Sequence, residues 1–424
     1  MYSLNNHIIN KTNISVMKKK NFLFASCLLG IFAFSSCEKN LYDESKQPEE
    51  ETKMTDLIVP KNFDWSDTQE VKAQITPAET IVSVYLDKEC KEEALLFQMD
   101  MNIESNDNQS VEFPIAIPTY VENVYVKYEG VDRISIVPVQ DGKIAIKAPQ
   151  IQNIKSRAVI NTKNSNEYGL LSINGTLMFE DMYPQLGDYD FNDFVARYNL
   201  RILYKYSRGK YYAHKMCISV QIRAVGGIYK YEPYIRLTKV KADNIIIETT
   251  EKNVKSIKGP NGEAIISYKS PTPPSGYKYY NTEKNALVAT SDLPEINILI
   301  TLKKRKEVKE ILEGDEFDLY LKRNDSGTEI HMNGIEPITY QYPFNDKNLL
   351  PVYTNGDEED DNYYFSAGRL IWGLRVPGNA AHAIEKANFL EAYKGFAKWA
   401  QSSGKNEQNW YNQGNADKSL LIHN

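Results

Sequence analysis

Phe179-Glu180-Asp181-Met182-Tyr183-Pro184-Gln185-Leu186-Gly187-Asp188-Tyr189-Asp190-Phe191-Asn192-Asp193-Phe194 reads as a loop running into a strand. Asp188, Asp190 and Asn192 stand at every second position, so in an extended backbone their oxygens project to one side. Beyond the loop, Phe194, Ala196, Tyr198, Leu200 and Ile202 share one parity and Arg197, Asn199 and Arg201 the other. That alternation predicts a strand with one face turned inward. After a turn at Ser207-Arg208-Gly209-Lys210 the pattern repeats, with Met216, Ile218, Val220 and Ile222 inward. A hairpin therefore springs from the acidic loop, and a rigid sheet would hold the carboxylates in place.

Glu180, Asp181 and Asp193 come within reach of the alternating trio if the chain folds back at Pro184 and Gly187. A set of hard oxygen donors repels itself unless a cation, a basic partner or backbone N–H groups compensate it. Calcium suits such a set, because it takes about six to eight oxygens in flexible geometry. The candidate metal ligands are thus Asp188, Asp190, Asn192, Asp193, Glu180 and Asp181. The spacing copies the opening of an EF-hand loop but departs from it at once. Asp193 stands where that loop needs glycine, and Asn199 where it needs the bidentate glutamate. Two metal-free readings stay open. The carboxylates could cap backbone N–H groups in an Asx-turn, or Arg197, Arg201 or Arg223 could pair with Asp190 or Asp193. A second acidic run, with Asp357, Asp360 and Asp361, is either a solvated loop or a second part of the same site.

The chain is 424 residues long, with 42% hydrophobic and 25% charged residues, enough for two or three globular domains. Met17 opens Lys18-Lys19-Lys20 and an apolar run from Phe22 to Phe34, the layout of a signal peptide too short to span a membrane comfortably. The run ends Phe34-Ser35-Ser36-Cys37, which resembles a bacterial lipobox with Cys37 as the lipidation site; a plain secretory peptide is the alternative. Residues 1–36 are then leader and signal, and 37–60 a lipidated cysteine and a flexible acidic tether. Their removal takes away four lysines and no acid, so the exported part is more acidic than the net charge of −6. That balance excludes nonspecific nucleic-acid binding, which needs positive patches. Cys90 and Cys217 offer neither a disulfide framework nor metal spacing.

Residues 61–148 alternate strands and turns: Thr80–Leu86 is β-branched and aromatic, and Val124–Tyr128 alternates. A small β-sandwich follows, with Trp65 as a core anchor of its first strand. The polar stretch 149–166 is a linker, and 167–424 a second, larger β-sandwich. Tyr229, Tyr231 and Tyr234 read as half-buried strand residues, and His331 as a turn histidine before Asn333-Gly334. One helix is expected near the end, with Asn388 as N-cap, Glu391 as its capping-box partner and a stripe from Phe389 to Ala400. The fold class is all-β: two sandwiches and one C-terminal helix packed on the second.

Two blocks carry a family resemblance. The run Phe179-Glu180-Asp181 through Gly187 to Val195 resembles the signature of the LruC-type domain, and Trp372-Gly373-Leu374-Arg375-Val376-Pro377-Gly378 with Phe396-Ala397-Lys398-Trp399 resembles its C-terminal signature. Phe63-Asp64-Trp65 is similar to the entry of a small β-domain often found upstream. The resemblance implies a lipoprotein of Bacteroidetes, anchored in the outer membrane with either face possible, built on a domain of unknown function.

No Ser-His-Asp order, zinc spacing, P-loop or dinucleotide fingerprint is present. The expected function is non-catalytic: a lipid-anchored envelope protein with a Ca2+-binding loop and a binding or adhesive role towards glycan or protein. The alternatives are a glycoside hydrolase-like enzyme using paired carboxylates and a structural fimbrial or adhesin subunit assembling by strand addition.

Overall fold

The computed structural model describes residues 52–76, 80–100, 111–147, 169–207, 210–249, 251–252, 254–312, 317–352 and 362–423. The leader, Cys37, the linker 149–166 and the run with Asp357, Asp360 and Asp361 lie outside them. The first sandwich region contributes β1 (Thr68–Thr76), β2 (Ile81–Tyr85), β3 (Leu95–Asp100), β4 (Val111–Pro118), β5 (Asn123–Tyr128), β6 (Ser135–Gln140) and β7 (Lys143–Lys147). The larger region opens with β8 (Gly169–Phe179), β9 (Phe194–Ser207), β10 (Lys210–Val225), β11 (Tyr231–Lys241) and β12 (Ile245–Thr249). It continues with β13 (Lys255–Lys258), β14 (Glu263–Ser267), β15 (Glu295–Glu307), a short helix α1 (Val308–Leu312), β16 (Asp318–Arg323) and β17 (Glu329–Ile330). It closes with β18 (Gly373–Pro377), β19 (His382–Ala383), α2 (Phe389–Ala392), α3 (Phe396–Gln401) and β20 (Leu421–Ile422). The chain is all-β, and no helix among the described residues is long and apolar enough to cross a membrane.

One sheet runs in the order β12-β15-β10-β9-β8-β3-β2-β5-β6-β7-β1-β4, with β18 on β8. The two regions meet in it through two residue pairs, Phe97 with Leu171 and Gln98 with Leu170. A second sheet, β13-β14-β11-β16-β17, packs against the β9–β10 hairpin. The predicted alternation holds: Phe194, Ala196, Leu200, Ile202, Met216, Ile218, Val220 and Ile222 are buried between the sheets with Ile235, Leu237, Leu319 and Leu321. Burial of this apolar face, at roughly 25 cal/mol per Å2, holds the two layers together. At the end of the sheet beside the acidic loop, the other face is covered as well. Met178, Val195, Ala224, Leu374 and Val376 sit in a second core built by the C-terminal cap.

That cap differs from expectation in two ways. The helical region begins as predicted, with Leu390 N–H donating to the Asn388 side chain at 3.0 Å. Yet it breaks into α2 and α3, because Tyr393 leaves the helix to bridge Ala416 and its hydroxyl donates to Ala381 O at 2.7 Å. Trp65 is a core anchor, but of the cap rather than of the first sandwich. Its ring lies 5.7 Å from Phe396 and its indole N–H donates to Arg369 O at 2.9 Å. Met54, Leu57, Val59 and Phe63 are buried in the same core, so the stretch from Met54 to Pro60 is a packed strap where acidic composition suggested tether. Replacement of Trp65 by alanine would leave a void in this aromatic cluster, and such truncations cost about 3–5 kcal/mol. Urea unfolding of Trp65→Ala should show that loss.

Candidate functional site

The loop between β8 and β9 sorts its side chains by chemistry. Tyr189 and Phe191 take left-handed backbone angles, φ 56° and 53°, a conformation that aromatic residues adopt only under constraint. The constraint is the cap: Phe191 packs on Phe389 at 5.1 Å and on Tyr189 at 5.9 Å. Tyr183 faces the other core, 5.1 Å from Trp372, and Trp372 N–H donates to Gln185 O at 2.9 Å. The intervening acids are thereby turned to the opposite side. Of the six expected ligands the loop brings Glu180, Asp188 and Asp190 together, through paired left-handed residues and not an extended backbone.

Three of the predicted ligands form a knot. One oxygen each of Glu180, Asp188 and Asp190 lie within 4.8 Å of one another. Glu180 is fully buried and accepts from Phe191 N–H at 2.6 Å and Tyr189 N–H at 3.2 Å. Asp190 accepts from Asn192 N–H at 3.2 Å and Lys386 N–H at 2.7 Å, which ties the loop to the cap. Asp188 is exposed and gives the knot its solvent side. Asp181 and Asp193 form a second pair alongside: Asp193 accepts from Asp181 N–H at 2.8 Å, and Asp181 from Tyr229 N–H at 2.7 Å. Asn192 donates to Ala383 O at 3.2 Å. Two wholly buried acceptors, Asp181 Oδ1 and Asn192 Oδ1, have no hydrogen-bond partner. Asn192 Oδ1 lies against Gly226, and a Cβ on Gly227 would overlap the Asp181 carboxylate. The turn also needs φ +76° at Gly227, so glycine is required there twice over.

Electrostatics make the knot costly as it stands. Burial, followed by Asp193, Asp190 and Asp188, holds Glu180 well above the usual carboxylate range. Burial and then Asp188 push Asp190 up to about 7, against the two N–H groups that favour its charge. Asp193 is raised well above its ordinary value by burial and by Asp181. Burial also raises Asp181, opposed by its backbone donors and more weakly by Arg323. Arg201 pairs with Glu92 at 3.0 Å, and Arg223 donates to Ala380 O, pulled down to about 10 by burial and by Arg197. The capping alternative is partly right, since backbone N–H groups do reach Glu180, Asp190, Asp181 and Asp193. They leave the mutual repulsion and the two orphan acceptors in place.

Sequence reasoning missed the donors from distant segments, Tyr229 and Lys386, although the Gly226-Gly227 pair marks the first. Tyr231 is also part of the site, its hydroxyl donating to Asp193 O. His331 is not a turn histidine. It is fully buried, with Nδ1 2.8 Å from Asp318 and Nε2 3.4 Å from Glu329, and its ring stacks on Tyr320 at 4.3 Å. Burial alone would lower its pKa; the two carboxylates outweigh that and raise it. His382, by contrast, has only Asn281 O at 2.8 Å, and burial pulls it down to about 4.

These environments give two expected outcomes. Across proton NMR titrations, the His331 ring should change charge above pH ~6.5 while His382 stays neutral down to about pH 4. Because Asp190 binds its proton more tightly folded than unfolded, its contribution to stability is present below pH ~4 and lost as pH rises through about 7. In EDTA the melting temperature should therefore fall over that window, and less steeply in Asp190→Asn.

Residues 212–411 match the model of a domain of unknown function, DUF4842. That span takes in the block from Trp372 to Trp399 but stops short of the Phe179–Val195 block, and the match carries the DUF4842 description rather than the LruC-type one expected. A crystal structure from Bacteroides ovatus, described as a "putative lipoprotein", shares the fold with a TM-score of 0.61 and 21% identity, over 82% of this chain and 100% of that one. No curated protein matches the chain.

Proposed function

We propose that this chain is a lipid-anchored, non-catalytic protein of the outer membrane whose Glu180, Asp188 and Asp190 bind Ca2+. The anchor would be Cys37, and the lipobox-like run before it supports this, as does the shared fold with a protein described as a lipoprotein. The observation that carries the metal reading is the knot itself: three carboxylate oxygens within 4.8 Å, two of the groups buried, compensated by neutral N–H donors alone. A hard divalent ion removes that repulsion and accepts further oxygens to complete its shell. Asp193 stands behind the knot and holds Asp181 in place. The ion would fix the loop and its link to the cap and would not activate water. A glycosidase needs one protonated acid and one base set apart across a cleft; a single crowded knot does not supply that division of labour.

Calcium at about a hundred times its Kd should add about 2.7 kcal/mol of stability, seen as a rise of several degrees in melting temperature over EDTA. Asp190→Ala should remove the rise. An unchanged melting temperature at millimolar calcium would overturn the assignment.

A further inference from the structure

The residues around the knot suggest what it meets. Two loops close over the carboxylates with glycine, Gly187 against Glu180 and Gly227 against Asp181. Each carries an aliphatic side chain beside that glycine, pointing to solvent: Leu186, 41% exposed, and Ile228, 66% exposed. Lys278, within electrostatic reach of Glu385 and Asp181, and Lys386, whose N–H holds Asp190, are exposed on the same rim.

Resting on the calcium reading, we propose that this end of the molecule is a cation-dependent docking surface for a membrane of anionic phospholipids. Three carboxylates fill only part of a shell of about six to eight oxygens, and the side of exposed Asp188 faces outward, where lipid phosphate oxygens can complete it. Lys278 and Lys386 complement neighbouring phosphates, and Leu186 and Ile228 are the residues that enter the interface between headgroup and acyl chain. A sugar platform fits less well at Tyr229 and Tyr279, each of which has a cation over one face. Arg323 lies 3.2 Å over Tyr229, and Lys278 lies 4.5 Å over Tyr279. In the absence of calcium the acidic knot repels an anionic surface, which makes the contact conditional.

The test uses the full chain with Cys37→Ser, which removes the acylation site, and sedimentation with vesicles of phosphatidylglycerol and phosphatidylcholine or of phosphatidylcholine alone. Binding to the phosphatidylglycerol vesicles should be at least tenfold stronger in calcium than in EDTA. Leu186→Ser with Ile228→Ser should lose that gain while keeping the calcium-induced rise in melting temperature. A calcium-stabilised protein that ignores phosphatidylglycerol, binds both vesicles equally, or binds undiminished with the two serines overturns the membrane surface and leaves the calcium site standing. Absence of the melting-temperature rise removes both.

Discussion

Carboxylates taken out of water beside one another repel, and much of this structure can be read as the means of holding four of them, Glu180, Asp181, Asp190 and Asp193, in one loop beside the exposed Asp188. Each is given what the backbone can offer. Phe191 and Tyr189 turn their N–H groups to Glu180, Asn192 and Lys386 to Asp190, and Tyr229 to Asp181. These donors come from the loop itself, from the turn after β10 and from the segment before α2. Loop, sheet and cap are thus fastened to one another through the same charged centre. Hydrogen bonds to charged acceptors contribute about 1.5–3 kcal/mol each, yet the raised pKa values of Glu180, Asp190 and Asp193 show that burial and repulsion still prevail. The proposed cation would relieve the part of this cost that comes from mutual repulsion.

Two aromatic cores hold the loop against this repulsion. Tyr183 belongs to the core between the sheets, Tyr189 and Phe191 to the core under the cap. The left-handed conformations at 189 and 191 are the cost of sending successive rings one way and the acids between them the other. The cap supplies the surface that receives those rings, through Phe389 and Phe396. Asp318, His331 and Glu329 show a different solution to the same problem within the second sheet. There an imidazole with both nitrogens facing carboxylates holds the positive charge that the loop lacks.

The sheet was legible because β9 and β10 alternate in burial along their middle stretches, and the acidic residues of the site were legible because their types and spacing are unusual. What could not be read was pairing over distance. Asp190 meets Lys386 across 196 positions, and Trp65 meets Phe396 across the length of the chain. Neither leaves a local pattern, since a backbone N–H donor has no residue identity and an aromatic side chain does not name its partner. His331 looked like a turn residue because Asn333-Gly334 follows it, while Asp318 stands on the neighbouring strand. The C-terminal stripe was periodic enough to show a helix, and only the outward bond of Tyr393 breaks it.

The strap from Met54 to Trp65 has a mechanical consequence. A molecule held by its N-terminus and dragged by flow or by an attached partner receives the load first at this segment. The strap is seated by rings and a few hydrogen bonds, whereas β1 behind it is secured between β4 and β7. Tension would lift Phe63 and Trp65 off α3 before any strand is sheared. The earliest region to yield is then the cap whose Lys386 grips Asp190, so a pull on the anchor is felt at the carboxylates while the sheets remain intact.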